Sequence, residues 1–182
     1  MFDVIWGLPV DYMHSVCLGV AKRFTSLWFD ASQARSPWYL GGRTSEIERA
    51  LRQTKPPRSI KSLPRPIKEK QHWKGLSSLD LLSPLRVPPP PIYVIIFIFF
   101  VPLAIELRNW LLFFAPVVLE GFLPPLYFQN LILLVEVLHL LLSRKISVKA
   151  LDAAEHNLKI FLKSFEDLYG DFFFFFLLFL HF

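Results

Sequence analysis

The stretch SVKALDAAEHNLKIFLKSFEDLYG, from Ser147 to Gly170, carries the clearest helical pattern in the chain. Serine is a preferred helix N-cap, and glycine is the residue type that most often follows a helix C-terminus. Between them apolar residues recur at three- and four-residue steps, which is typical of a helix with one buried face. The apolar stripe consists of Leu151, Ala154, Leu158, Phe161, Leu162, Phe165 and Leu168, and the opposite face of Lys149, Asp152, Glu155, Lys159, Lys163 and Glu166. The stretch therefore predicts a helix that packs on other helices.

Four segments nearer the N-terminus show related patterns, and they predict a mainly α chain. They are Tyr12 to Phe29, Glu46 to Arg52, Leu107 to Glu120 and Asn130 to Ser143. The last two are apolar almost all round, so we expect them to be buried. No alternation of apolar and polar residues is long enough to predict a sheet.

The composition of the chain fits one ordinary domain with a core. It has 182 residues, of which 53% are hydrophobic, and a formal net charge of +5. The single cysteine, Cys17, excludes a disulfide within the chain, and its place in an apolar pattern predicts a core residue. His139, Trp110, Phe113 and Phe114 lie in similar apolar surroundings, so we expect buried side chains there, with His139 bonded to a backbone carbonyl.

Asp11 and His14 form an Asp-x-x-His pair where the first predicted helix begins. At a helix N-terminus this spacing puts both side chains on one side, where they can share a metal ion, a phosphate or a hydrogen bond. The same pair also fits a purely structural role, with Asp11 as the N-cap and His14 packed beside it. Both interpretations stay open.

Together with Trp73-Lys74-Gly75 and the block from Arg108 to Leu119, this pair resembles the CACTA-like (En/Spm-type) DDE transposases of animal genomes and the proteins derived from them. The resemblance covers roughly residues 2 to 75 and 107 to 170. It implies part of the helical insertion of a ribonuclease-H-like transposase, with the catalytic sheet largely absent. It also implies a nuclear location, DNA as a partner, and Asp11 and His14 as candidate catalytic residues.

In that family carboxylates hold divalent metal ions, Mg²⁺ or Mn²⁺, which activate the attacking oxygen and stabilise the leaving oxygen of a phosphodiester. The resemblance places the other catalytic acids outside this sequence. We therefore expect no nuclease or transposase activity and no cofactor for the chain as it stands.

Two apolar segments interrupt the resemblance, one at residues 76–105 and the other in the tail, 171–182. Phe, Leu, Ser and Pro dominate them, and these are the amino acids that all-pyrimidine codons specify. We interpret 76–105 as translated intron, which divides the chain into 1–75, 76–105, 106–170 and 171–182. The alternative is a small membrane-associated protein that inserts residues 92–105, although prolines such as Pro102 would break a helix there.

A basic connector follows the second predicted helix. Its cations recur about every third residue among prolines that favour an extended chain. They are Arg52, Lys55, Arg58, Lys61, Arg65, Lys68, Lys70 and Lys74, opposed only by Glu69. Such a strip suits contact with the phosphate backbone of DNA. It is equally typical of a solvated linker that binds no ligand. A third hypothesis is therefore a domesticated, non-catalytic module that binds DNA or a protein.

Overall fold

The computed structural model describes residues 13–56, 58, 60, 66–67 and 101–170. Within these residues the chain is mainly helical and contains no strand, which confirms the mainly α prediction. Short 3₁₀ turns occupy Ala31–Gln33 and Gly41–Arg43, and a π-helical stretch occupies Trp110–Phe114. The helices are α1 (Met13–Ala21, in π geometry), α2 (Lys22–Phe29, continuous with α1), α3 (Thr44–Gln53), α4 (Val101–Asn109), α5 (Ala115–Val118), α6 (Pro125–Leu141) and α7 (Val148–Tyr169).

Both predicted ends of α7 are confirmed. The Ser147 hydroxyl accepts a hydrogen bond from the backbone N–H of Ala150 at 3.2 Å, as an N-cap does. Gly170 follows the helix at a φ of +60°, which side-chain-bearing residues rarely adopt. The predicted charged face is exposed, but Leu151 is not part of a buried stripe. Leu151 is 53% exposed because it lies in the first turns of α7, next to residues 141–149, all of which face solvent.

The core joins the N-terminal helix to α7 through aromatic rings. The Phe24 ring lies 5.0 Å from Trp28, 5.5 Å from Phe165 and 5.8 Å from Tyr169 between centroids. The Trp28 indole N–H donates to the Tyr169 hydroxyl at 3.2 Å. Burial raises the pKa of Tyr169 above its ordinary value of 10.0, and this hydrogen bond offsets only part of the effect. The phenol therefore stays neutral far into alkaline solution.

Helices α6 and α7 form a hairpin that a buried amide holds in register. Asn130 on α6 is 1% exposed, and its Nδ2 donates to the carbonyl oxygen of Phe161 at 3.1 Å and to the Ser164 hydroxyl at 2.7 Å. Its Oδ1 is buried without a hydrogen-bond partner. Sliding α6 along α7 would break both donated bonds. This would be costly, because a buried amide group needs hydrogen-bond partners.

Two helices begin earlier than their sequence patterns predict. Helix α4 includes Val101 and Pro102, inside the range assigned to intron, and it packs on α1 with Ala104 1% exposed. Pro102, where we expected a break, is the second residue of α4. Helix α6 begins at Pro125, and proline is well suited to a first turn because its φ is already helical.

Of the described helices, none combines the length and the apolar character needed to span a bilayer.

Candidate nucleic-acid interface

Helix α3 carries the start of the basic connector, and local contacts define both of its ends. The Thr44 hydroxyl donates to the carbonyl of Gly41 at 2.7 Å, and Arg43 pairs with Glu46 at 3.0 Å in the first turn. Ile47 and Leu51, four residues apart, are buried against the core. At the other end the backbone N–H of Thr54 donates to the carbonyls of Ala50 and Leu51, and Thr54 itself is extended. The chain therefore leaves the helix at a defined point.

Beyond α3 the described part of the connector has no regular structure, in keeping with its prolines. Two of its residues are nevertheless buried in the core, Ile60 at 9% and Ile67 at 2% exposure. Sequence reasoning missed both anchors, because single isoleucines among lysines and prolines show no periodicity. They fasten the connector to the helical core at two points.

The first three predicted DNA-binding residues, Arg52, Lys55 and Arg58, are exposed. None of the three forms an ion pair with a described residue, in contrast to Lys159, which pairs with Glu155 at 2.6 Å. Their charges are thus available to an anionic ligand. The other five predicted cations lie outside the described residues: Lys61, Arg65, Lys68, Lys70 and Lys74.

A groove of about 620 Å³ opens beside Lys55, between the end of α3 and the segment from Leu112 to Val117. The side of the groove formed by Leu112 to Val117 is apolar, and the α3 side includes the polar residues Gln53, Thr54 and Lys55. Phe113, half-buried, lines the apolar side, and its ring meets the His139 ring edge-on at 6.0 Å between centroids. The lining residues are Ala50, Gln53, Thr54, Lys55, Pro56, Leu112, Phe113, Phe114, Pro116 and Val117.

His139 and Cys17 were both expected in the core. Cys17 is buried, as predicted. His139 has its Nδ1 2.8 Å from the carbonyl oxygen of Val135, which confirms the expected bond, but its side chain is exposed. The prediction of a buried histidine is therefore wrong, because position 139 faces outward near the solvent-exposed end of α6.

The candidate pair Asp11 and His14 falls largely outside the part of the chain that the structure describes. Asp11 lies outside the described residues, and of His14 only the backbone is described, as the second residue of α1. Among the described side chains, no group of three or more His, Cys, Asp or Glu could hold a metal ion. The donor set that Mg²⁺ or Mn²⁺ would need is thus not found among the described side chains.

Comparison with known proteins adds no family to these observations. The chain matches no family model, no curated protein and no solved structure.

Proposed function

We propose that this chain is a DNA-binding protein of transposase ancestry, derived from the helical insertion of a CACTA-like, ribonuclease-H-like transposase. The observation that carries the proposal is the group of exposed cations at Arg52, Lys55 and Arg58, which have no ion pair with a described residue. In this proposal they contact DNA phosphates, and the other cations of the connector extend the contact along the backbone.

The two buried isoleucines support this role. Ile60 and Ile67 hold the connector against the helical core, so part of its conformational entropy is lost on folding rather than on binding. An anchored strip of cations binds an extended polyanion more tightly than a free linker of the same charge. Phosphate contacts of this kind carry no sequence information, so we propose binding without strong sequence preference.

The proposed activity is binding without catalysis. Asp11 and His14, the candidate catalytic pair, would need further carboxylates to hold two metal ions in a DDE mechanism. Incubation of supercoiled plasmid with the protein and Mg²⁺ or Mn²⁺ should leave the plasmid intact. Metal-dependent nicking that disappears in Asp11→Ala would overturn the non-catalytic part of the proposal.

The binding proposal is tested with a charge-removal variant and a control of equal net charge. The test variant is Arg52→Gln/Lys55→Gln/Arg58→Gln, and the control is Arg35→Gln/Lys159→Gln/Lys163→Gln. All six side chains are exposed, so neither variant disturbs the core. Fluorescence anisotropy of a labelled duplex at low salt should show binding by the wild type and the control and much weaker binding by the test variant. Equal affinity of the two variants for the duplex would show that Arg52, Lys55 and Arg58 do not contact DNA.

A second variant probes the groove beside the same cations. Val117 is 58% exposed and lines the groove with Lys55, so Val117→Glu places an acid there without opening a cavity. We expect this acid to lower the affinity for duplex DNA, because it repels phosphate and attracts Lys55. An unchanged affinity would place the DNA away from the groove.

A further inference from the structure

The tip of the α6–α7 hairpin, defined here as residues 141–151, exposes large aliphatic side chains instead of burying them. Five of its residues are between 39% and 76% exposed: Leu141, Leu142, Ile146, Val148 and Leu151. They lie close together, because they are the last turn of one helix, the connection and the first turns of the next. Isolated exposed leucines are ordinary on protein surfaces, whereas several large exposed aliphatic side chains within one short segment favour an interaction site.

The same tip is positively charged. Arg144, Lys145 and Lys149 are exposed, and no acidic residue occurs between positions 141 and 151. None of these three cations forms an ion pair with a described residue. The tip therefore presents three positive charges interleaved with the five aliphatic side chains.

Local hydrogen bonds order the backbone of the tip. The Ser143 hydroxyl has one proton to donate, and the carbonyl oxygens of Leu140, at 2.8 Å, and Lys145, at 3.1 Å, are both within its reach. Ser147 then caps α7, which fixes the direction in which Val148 and Leu151 leave the helix. The backbone of the tip is therefore ordered before a ligand binds, which lowers the entropic cost of binding.

We propose that the hairpin tip inserts into the headgroup layer of an anionic phospholipid bilayer. Aliphatic side chains enter the boundary between headgroups and acyl chains, while neighbouring lysines and arginines contact lipid phosphates. A second copy of the chain fits less well, because a two-fold contact would place the same cations against each other. Nucleic acid would use the cations but would leave the five aliphatic side chains exposed. The proposal goes beyond DNA binding and uses no residue of the basic connector.

An environment-sensitive fluorophore on the full chain tests the proposal at the tip itself. Ile146→Cys places a reactive thiol in the exposed turn, whereas the only native cysteine, Cys17, is buried and does not compete for a maleimide dye. The control is Ile160→Cys, at a residue that is 42% exposed on α7, twelve residues and about 18 Å beyond Val148. Vesicles of phosphatidylcholine with and without phosphatidylglycerol provide anionic and neutral surfaces.

With anionic vesicles we expect the dye at position 146 to shift to shorter wavelength and brighten, and the dye at position 160 to stay unchanged. The additional change Arg144→Glu/Lys145→Glu should lower the apparent partition coefficient at least about 30-fold, since each lost cation weakens partitioning about fivefold. The proposal is overturned if the position-146 dye does not respond, or if neutral vesicles or the position-160 dye give the same response. A position-146 response to duplex DNA in place of vesicles would assign the tip to nucleic acid instead.

Discussion

Removal of one hydroxyl group from the aromatic core, in Tyr169→Phe, should destabilise the fold in a way that depends on pH. Tyr169 is 2% exposed, and its hydroxyl accepts the Trp28 indole N–H at 3.2 Å. The variant keeps the ring but leaves that buried N–H without its acceptor. A buried unsatisfied donor costs about 1–3 kcal/mol, so we expect the free energy of unfolding at pH 8 to fall by that amount.

Alkaline solution should reduce this difference. Burial raises the pKa of Tyr169, so above pH 10 the phenol ionises in the unfolded chain while it stays neutral in the folded one. The contribution of the Tyr169 phenol to the free energy of unfolding is fully present below the ordinary pKa of 10.0. It is lost as the pH rises from there toward the raised pKa of the folded state. Between pH 8 and pH 11 the wild type should therefore lose about 1.4 kcal/mol that Tyr169→Phe does not lose.

Urea unfolding followed by tryptophan fluorescence at pH 8 and pH 11 measures both effects. The control at pH 8 is Tyr39→Phe, which removes a half-buried hydroxyl that has no hydrogen bond to a described residue and should change stability little. Equal stability of Tyr169→Phe and wild type at pH 8 would show that the Trp28 hydrogen bond does not contribute. A stability difference that stays constant up to pH 11 would refute the burial argument.

Three further substitutions test the hairpin, each by urea unfolding at neutral pH. Ser147→Ala removes the N-cap of α7 and should cost about 1 kcal/mol; no loss would mean that the cap bond is replaced by water. Gly170→Ala forces a side chain into a positive-φ conformation, with an expected cost of about 1–3 kcal/mol, and an unchanged midpoint would contradict the backbone geometry. Asn130→Ala removes both amide bonds to α7 and should cost about 1–3 kcal/mol, whereas a stabilised variant would show that the unpartnered Oδ1 outweighs them.

Features with local signals could be predicted from the sequence. The caps at Ser147 and Gly170 depend on residue type and neighbours, and both are confirmed. The existence of the main helices follows from the period of apolar residues. The π geometry of Met13–Ala21 and Trp110–Phe114 could not be predicted, because over one or two turns its apolar pattern does not differ from that of an α-helix.

Features that depend on distant parts of the chain were out of reach. Trp28 and Tyr169 are 141 residues apart in sequence, and no pattern around either residue indicates that they meet. Leu151 belongs to an apolar stripe, but only the packed hairpin shows that it lies at an exposed tip. The connector cations were identified by their spacing, whereas the groove beside Lys55 exists only where α3 approaches the segment from Leu112 to Val117.

The salt dependence of DNA binding tests the central proposal most directly. Each phosphate contact to duplex DNA contributes about 0.9 to the slope of log affinity against log salt concentration. If Arg52, Lys55 and Arg58 each contact a phosphate, their replacement by glutamine should make the slope less steep by about 2.7, and the Arg35/Lys159/Lys163 control should keep the wild-type slope. Equal slopes for the two variants, or a wild-type affinity that does not change with salt, would contradict the account.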